Sequence, residues 1–367
     1  MLSYFGENIK LTIQGESHGE FVRCTASGIP ADFKVDGDEL AAFMKRRQGG
    51  LLPFTTPRKE EDRPLFESGM TPELVTDGDI LSVKILNQNV RSGDYFGFTD
   101  TPRPSHAEYT AQMRYGSDID LRGGGHFSAR LTAPLCAVGG VIKQILAKKG
   151  IHIGTHLYSV GTVKDTPFSL ENVNKVDFNK AALAQGGLPT LSSESANAMK
   201  TELEKVFKDR DSLGGVVECA VIGLPAGYGD PLYHGIENRL AGAIFGLGGV
   251  RGIEFGLGFE ATKMRGSAHN DPFIIKDGKV ATATNNCGGI IGGISDGMPI
   301  VFRVAFKPTA SIGIEQDTVS LSKMQSAKIT VNGRHDPCIA IRALPCVEAI
   351  TAAVIADIIA SKDGAIL

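Results

Sequence analysis

No two cysteines of the 367-residue chain stand at Cys-x-x-Cys spacing; the six are scattered at 24, 136, 219, 287, 338 and 346. That excludes a finger-type zinc site and a disulfide framework, and it reads as reduced thiols in a cytoplasmic protein. Strong charge of either sign is also missing. The formal net charge is −3, so no global basic field points to nucleic acid. The opening Met1-Leu2-Ser3-Tyr4-Phe5-Gly6 has no basic stretch followed by an apolar one, so no secretory signal is expected. No uninterrupted apolar run reaches the ~20 residues of a membrane helix, and even the apolar tail at 349–360 carries Asp357. Tryptophan is absent, and neither a long-period repeat nor a low-complexity tract is visible. A soluble, cytoplasmic protein without nucleic-acid or membrane partners is expected.

What is plentiful is glycine, 45 residues of it, in a chain whose 42% hydrophobic content supports a sizeable core. The glycines cluster at 123–125, 246–258, 288–289 and 292–293, beside apolar β-branched segments. They read as tight turns and close backbone approaches rather than a flexible linker. Strands are predicted at 9–13, 21–26, 80–86, 216–222 and 298–306. Helices are predicted at 38–47, 138–149, 195–208, from 234 onward and at 347–361. Residues 87–126 read as a long functional loop, and 151–200 as weakly patterned with a helix-bearing excursion. Helices and strands mix without strict βαβ alternation, which argues against a doubly wound fold.

Three kinds of motif carry chemistry. Gly15-Glu16-Ser17-His18-Gly19 matches the Gly-x-Ser-x-Gly elbow of serine hydrolases. Yet residue 17 comes too early for the strands of such a sheet, and a strand and turn follow where a helix is required. Gly256-Leu257-Gly258-Phe259-Glu260-Ala261 fits a dinucleotide fingerprint, but breakers follow where a helix should open. Arg122, Arg130, Arg334 and Arg342 sit among Gly, Ala, Pro and apolar residues, where an unpaired cation is costly. A substrate with several anionic groups explains them economically, with structural ion pairs the alternative for one or two. His106 in Pro104-Ser105-His106-Ala107-Glu108 and Asp336 in Gly333-Arg334-His335-Asp336-Pro337-Cys338 join His18 as proton carriers.

Together these segments resemble one family, chorismate synthase. The matching stretches are Gly15 to Gly19, Arg46-Arg47 with Thr55-Thr56 and Arg58, Arg91-Ser92 with Asp94-Tyr95, and Arg103 to Tyr109. Then follow Arg122 to Gly125 with Ser128-Ala129-Arg130, Gly288 to Ser295, Lys307 to Ile312, and Gly333 to Cys338. They run in family order across nearly the whole chain. The resemblance implies a lyase that converts 5-enolpyruvylshikimate 3-phosphate to chorismate and phosphate by 1,4-elimination with reduced FMN. It also implies an α/β (mixed α+β) fold, a β-α-β sandwich with helices between antiparallel sheets, assembled as a homotetramer. One domain, 1–367, is expected because motifs from 15 to 342 should meet at one site.

Carried over by position, His18 would protonate the leaving phosphate and His106 would hold a proton for the flavin's pyrimidine side. Asp336, helped by Ser17, would act on flavin N5. Flavin contacts would come from His126, Phe127, Ser128, Gly248, Gly249, Gly292, Lys307, Pro308, Thr309, Ala310, Ser311 and Arg334. Arg46, Arg130 and Arg342 would hold the substrate's anions, Arg46 also matching a position linked to nicotinamide binding. No metal is implied. An external flavin reductase is expected, with NADPH as the indirect reductant. The chain departs from the family pattern at Leu51-Leu52-Pro53, where an arginine is common, at His126 in place of arginine, at Leu131 in place of glutamate and at Ile341 in place of proline. These changes thin the positive charge. A serine hydrolase using Ser17 and a non-catalytic flavin-binding module are the rival readings.

Overall fold

The computed structural model describes residues 2–50, 60–88, 97–173, 178, 187–331 and 335–367. Leu51 to Pro53, Thr55, Thr56, Arg58, Arg91 to Tyr95, Gly333 and Arg334 lie outside them.

Alternating burial along Phe21–Ala26 marks a strand with one face in a core. That strand (β3) is the middle of an antiparallel sheet with β1 (Leu2–Phe5), β2 (Leu11–Gly15), β4 (Leu65–Ser68) and β5 (Leu81–Leu86), in the order β1-β2-β3-β5-β4. Helices α1 (Gly37–Lys45), α2 (Glu108–Tyr115) and α3 (Thr132–Lys148) follow. A second antiparallel sheet contains β6 (His152–Val160), β7 (Val163–Lys164), β8 (Gly215–Ile222), β9 (Val250–Phe255) and β10 (Ile300–Phe306), in the order β9-β10-β8-β6-β7. Among the described residues the longer remaining helices are α4 (Ser193–Lys208), α5 (Ile236–Ile244) and the terminal α6 (Ala340–Asp363).

Helix α3 packs on β3 and β5 on one side and on α6 on the other, while α6 packs on β6 and β8. The layers therefore run sheet, helices, sheet. The α3–α6 crossing is close because Gly139 faces Ala349; a Cβ on Gly139 would stand 2.4 Å from that of Ala349. Helix α6 is apolar nearly all round, as a helix walled in by protein must be. It and the stretch Ala129–Lys148 are long and apolar enough to cross a bilayer, and both are mostly buried here. Charges Arg342, Glu348 and Asp357 interrupt α6, which is why no uninterrupted apolar run was visible.

Those buried charges are paired. Asp357 accepts main-chain N–H bonds from Asn8 at 2.6 Å and Ile9 at 2.7 Å, and it pairs with Arg239 of α5. Across the second sheet, His156, Glu218, Arg303 and Glu254 lie in one register row. The His156 ring, fully buried, donates to Asp165 at 2.9 Å and to Glu218 at 2.8 Å. Burial works against its proton, and the two carboxylates override that, raising its pKa.

The expected sandwich is the observed fold. Several local expectations change. The weakly patterned 151–200 contains β6, a central strand whose polar residues disguise it. The 87–126 loop contains α2 and a 3-10 turn, Arg122–Phe127. The helices predicted from 138 and 347 begin at Thr132 and Ala340, each carrying an early proline, Pro134 or Pro345, that obscured the pattern.

Candidate active site

The glycine turn at 123–125 is the hub. All three residues have positive φ, 60°, 89° and 54°, a region glycine alone enters freely. A Cβ on Gly123 would lie 2.6 Å from the His18 ring and 2.9 Å from Ser17 Oγ. A Cβ on Gly124 would lie 3.5 Å from His106 Cε1. The missing side chains thus let one turn pass between the two imidazoles. Ser17 N–H donates to Gly125 O at 3.1 Å, joining the 15–19 turn to it.

From His106 the contacts continue around a ring. His106 Nδ1 lies 2.7 Å from Glu108 Oε1, and Arg103 Nε donates to the same oxygen at 2.9 Å. Arg103 Nη1 donates to Ser311 Oγ at 2.7 Å, and Lys307 Nζ donates to Ser105 O. The 307–311 loop is thereby stapled to the 103–108 segment. Thr309 Oγ1 donates to Asp336 O at 2.9 Å, and Asp336 Oδ2 accepts from Arg342 at 2.7 Å. Arg342 Nε reaches Arg47 O at 2.9 Å. Arg47 pairs with Asp62 at 3.0 Å, Asp62 pairs with Arg130, and Glu60 stands 2.8 Å from Arg130. Arg130 Nε donates to Asn87 Oδ1 at 2.8 Å, and Asn87 Nδ2 donates to Glu16 O and Gly19 O at 3.1 and 2.9 Å. The run ends where it began.

Electrostatics follow from this pairing. Burial would raise the Glu108 carboxyl, but His106 and Arg103 hold it below its ordinary range. Burial lowers the pKa of Arg130 despite Asp62 and Glu60, with Arg47 adding to the drop. Burial also works against Arg342, whose pKa Asp336 nevertheless raises.

His18, Ser17, His106, Asp336, Arg130, Arg342 and the loop Lys307, Pro308, Thr309, Ala310 and Ser311 are brought into this ring or onto its border. Gly249 O accepts from Lys307 N–H at 2.9 Å, and Gly248 approaches the Phe127 carbonyl. His126 binds Gly15 O at 2.8 Å and Ser3 Oγ at 2.9 Å, and Ser128 Oγ caps the Arg130 N–H at 3.3 Å.

Two of the expected residues lie away from this ring. Arg46 turns into the core, 2.6 Å from Glu348, because at the end of α1 neighbouring side chains point about 100° apart; Arg47 faces the ring instead. Gly292 belongs to the Ile290–Ser295 hairpin, whose neighbour Gly293 packs on Asp230 and Gly235. Among the described residues no contact brings it into the ring. Arg47, Arg103, Glu108, Asn87, Glu60 and Asp62 are ring members that motif reading left unassigned. Their signal was in plain view only for Arg47, in the Arg46-Arg47 stretch, and for Arg103 and Glu108, which flank His106.

The rival motifs fare poorly. Among the described residues Ser17 Oγ, fully buried, has no hydrogen-bond partner, so none of them serves as the general base that would activate it as a nucleophile. The 256–261 glycines lead into a 3-10 turn, Gly258–Lys263, and not into the helix a pyrophosphate needs.

The sequence model of the chorismate synthase family matches residues 9–360. The chain belongs to the chorismate synthase family. A chorismate synthase of Lancefieldella parvula is 42% identical over 366 residues, covering 97% of this chain and 96% of that protein. One from Pyrococcus abyssi is 42% identical over 352 residues, covering 96% of each. A solved structure, described as a crystal structure of chorismate synthase, aligns with a TM-score of 0.76 at 28% identity. The alignment covers 98% of this chain and 94% of that one.

Proposed function

We propose that the ring of contacts is the active site of a carbon–oxygen lyase converting 5-enolpyruvylshikimate 3-phosphate to chorismate and phosphate. This is the last step of the shikimate pathway to aromatic amino acids. One observation carries the reading: segments from residue 15 to residue 342 close on one another around two imidazoles separated by a bare glycine turn.

Reduced FMN fits the residues present. Ser17 Oγ is an orphaned buried hydroxyl, and Gly123 and Gly124 leave open backbone between His18 and His106. Lys307 and Arg251 are close enough for Arg251 to lower the Lys307 pKa, after burial. Their hydrogen bonds go to main-chain carbonyls of Ser105 and Val250, leaving positive charge for a phosphate. When bound, reduced FMN supplies the electron density that lets the substrate's phosphate leave. His18 donates the proton to that phosphate, and His106 holds a proton for the cofactor's pyrimidine side. Asp336 and Ser17 manage the proton at N5. Arg130 and Arg342, with Arg47 in place of Arg46, hold the substrate's two carboxylates and phosphate. His126, Phe127, Ser128, Gly248, Gly249, Arg334 and the 307–311 loop line the cofactor's place.

The chain acts as a single domain, 1–367, in a homotetramer, and an external reductase supplies the flavin with NADPH as indirect reductant. Six free cysteines support a reducing, cytoplasmic setting. The test is anaerobic phosphate release. With reduced FMN the wild type turns over; with NADPH and oxidised FMN alone it does not. His18→Ala lowers turnover ~10²–10⁴-fold, the usual cost of a positioned proton donor. Wild-type turnover by His18→Ala would remove its assigned role.

A further inference from the structure

Glu108 is a buried acid, 1% exposed, on which the roles above place no demand. It opens helix α2, where a negative charge is favoured by the helix dipole. Its Oε1 takes both His106 Nδ1 at 2.7 Å and Arg103 Nε at 2.9 Å, and its Oε2 is buried with no partner among the described residues. The chain is bent to make this contact. Ser105, just before His106, has φ of 60°, a conformation that costs a non-glycine residue free energy and persists only where its surroundings hold it. Lys307 holds it, by donating to the Ser105 carbonyl. The opposite edge of the imidazole, Cε1 and Nε2, faces Gly124.

We propose that Glu108 is a positioning residue for His106: its carboxylate accepts the Nδ1–H bond and fixes the tautomer whose Nε2 faces the glycine turn. It also offsets Arg103, whose Nη2 lies 3.2 and 3.3 Å from the two ring nitrogens. Without that carboxylate the guanidinium would face the ring uncompensated. Glu108 thus sets which nitrogen carries the proton in the neutral ring and which one faces the glycine turn without it. The general rule is that a hydrogen bond at one imidazole nitrogen dictates the chemistry of the other. This inference rests on the proton-holding role given to His106.

The test pairs a spectroscopic measurement on the unloaded protein with a kinetic cycle. In protein labelled with ¹⁵N-histidine, the neutral His106 ring should show Nδ1 protonated in the wild type and in Glu108→Asp. In Glu108→Gln it should show a mixture of tautomers. In phosphate release with reduced FMN, Glu108→Gln should lose ~10²-fold in kcat with KM within about threefold, and Glu108→Asp should recover most of it. On a His106→Ala background, Glu108→Gln should cost nothing further, because a residue acting through His106 is silent without it. Losses that multiply in the double variant, or an unchanged tautomer in Glu108→Gln, would overturn the proposal. Full turnover by His106→Ala alone would instead overturn the role of His106. If Glu108→Gln fails to fold, as a thermal melt would show, Glu108→Asp and the wild-type tautomer decide. A wild-type ring protonated at Nε2, or Glu108→Asp as slow as His106→Ala, would then refute the assignment.

Discussion

Single side chains in this protein are placed by what their neighbours lack. Gly123 is the sharpest case, since its φ of 60° and its contact with the His18 ring both forbid a side chain. Gly123→Ala should therefore lose about 1–2 kcal/mol to the left-handed backbone alone. It should also push His18 off its position, with at least a tenfold loss in phosphate release. Denaturant unfolding and the anaerobic assay read the two effects separately, and a variant with wild-type values in both would show that the turn is not the hub. The cluster of glycines was legible as close approaches, but which side chains they approach was not. No local pattern announces that residues 18 and 106 will flank residues 123 and 124.

At the scale of elements, the helical layer is locked by charges buried inside it. Glu348 of α6 takes Arg46 from the end of α1 at 2.6 Å, Lys143 of α3, and Thr155 Oγ1 of β6 at 2.6 Å. Burial pushes its carboxyl up, but Arg46 and Lys143 bring it down from 4.5 to about 2. A folded-state value below the unfolded one means the stabilisation is complete above about pH 4.5. It is lost as the pH falls toward 2. Urea titrations across that range should show a steeper acid loss for the wild type than for Glu348→Gln. Glu348→Ala at neutral pH should cost ~3–5 kcal/mol by stranding two buried cations. Equal acid profiles would mean that Glu348 is not the group responsible. Buried polar pairs of this kind explain why β6 escaped notice. Thr155 and His156 break its apolar pattern, and each is satisfied by a partner far away in the chain.

For the whole molecule, the layered sandwich leaves several large apolar side chains uncovered, among them those of a two-stranded hairpin. The hairpin of Phe273–Lys276 and Lys279–Thr282 exposes Phe273, Ile275 and Val280 by 67, 75 and 65%. A lone two-stranded ribbon is marginally stable in water, and exposed edges invite pairing. The proposed homotetramer would provide a covering surface. Light scattering should give four times the chain mass, and Ile275→Glu should shift the population toward smaller species. A wild-type monomer at micromolar concentration would count against the assembly.

The amino-acid order alone determined the family and the alternation of strands and helices in most segments, and it singled out His18, His106 and Asp336 as the proposed proton carriers. Those features are local, written in turn glycines, apolar spacing and short polar motifs. Tertiary structure alone decided that Arg47, not Arg46, turns toward the ring of contacts. It also decided that Glu348 and His156 are paired charges rather than errors in a core, and that Glu108 stands behind His106. The first two depend on groups tens to hundreds of residues apart meeting where water is excluded, and there a charge is stable only beside its complement; the last depends on the turn at Ser105 that brings two near neighbours together.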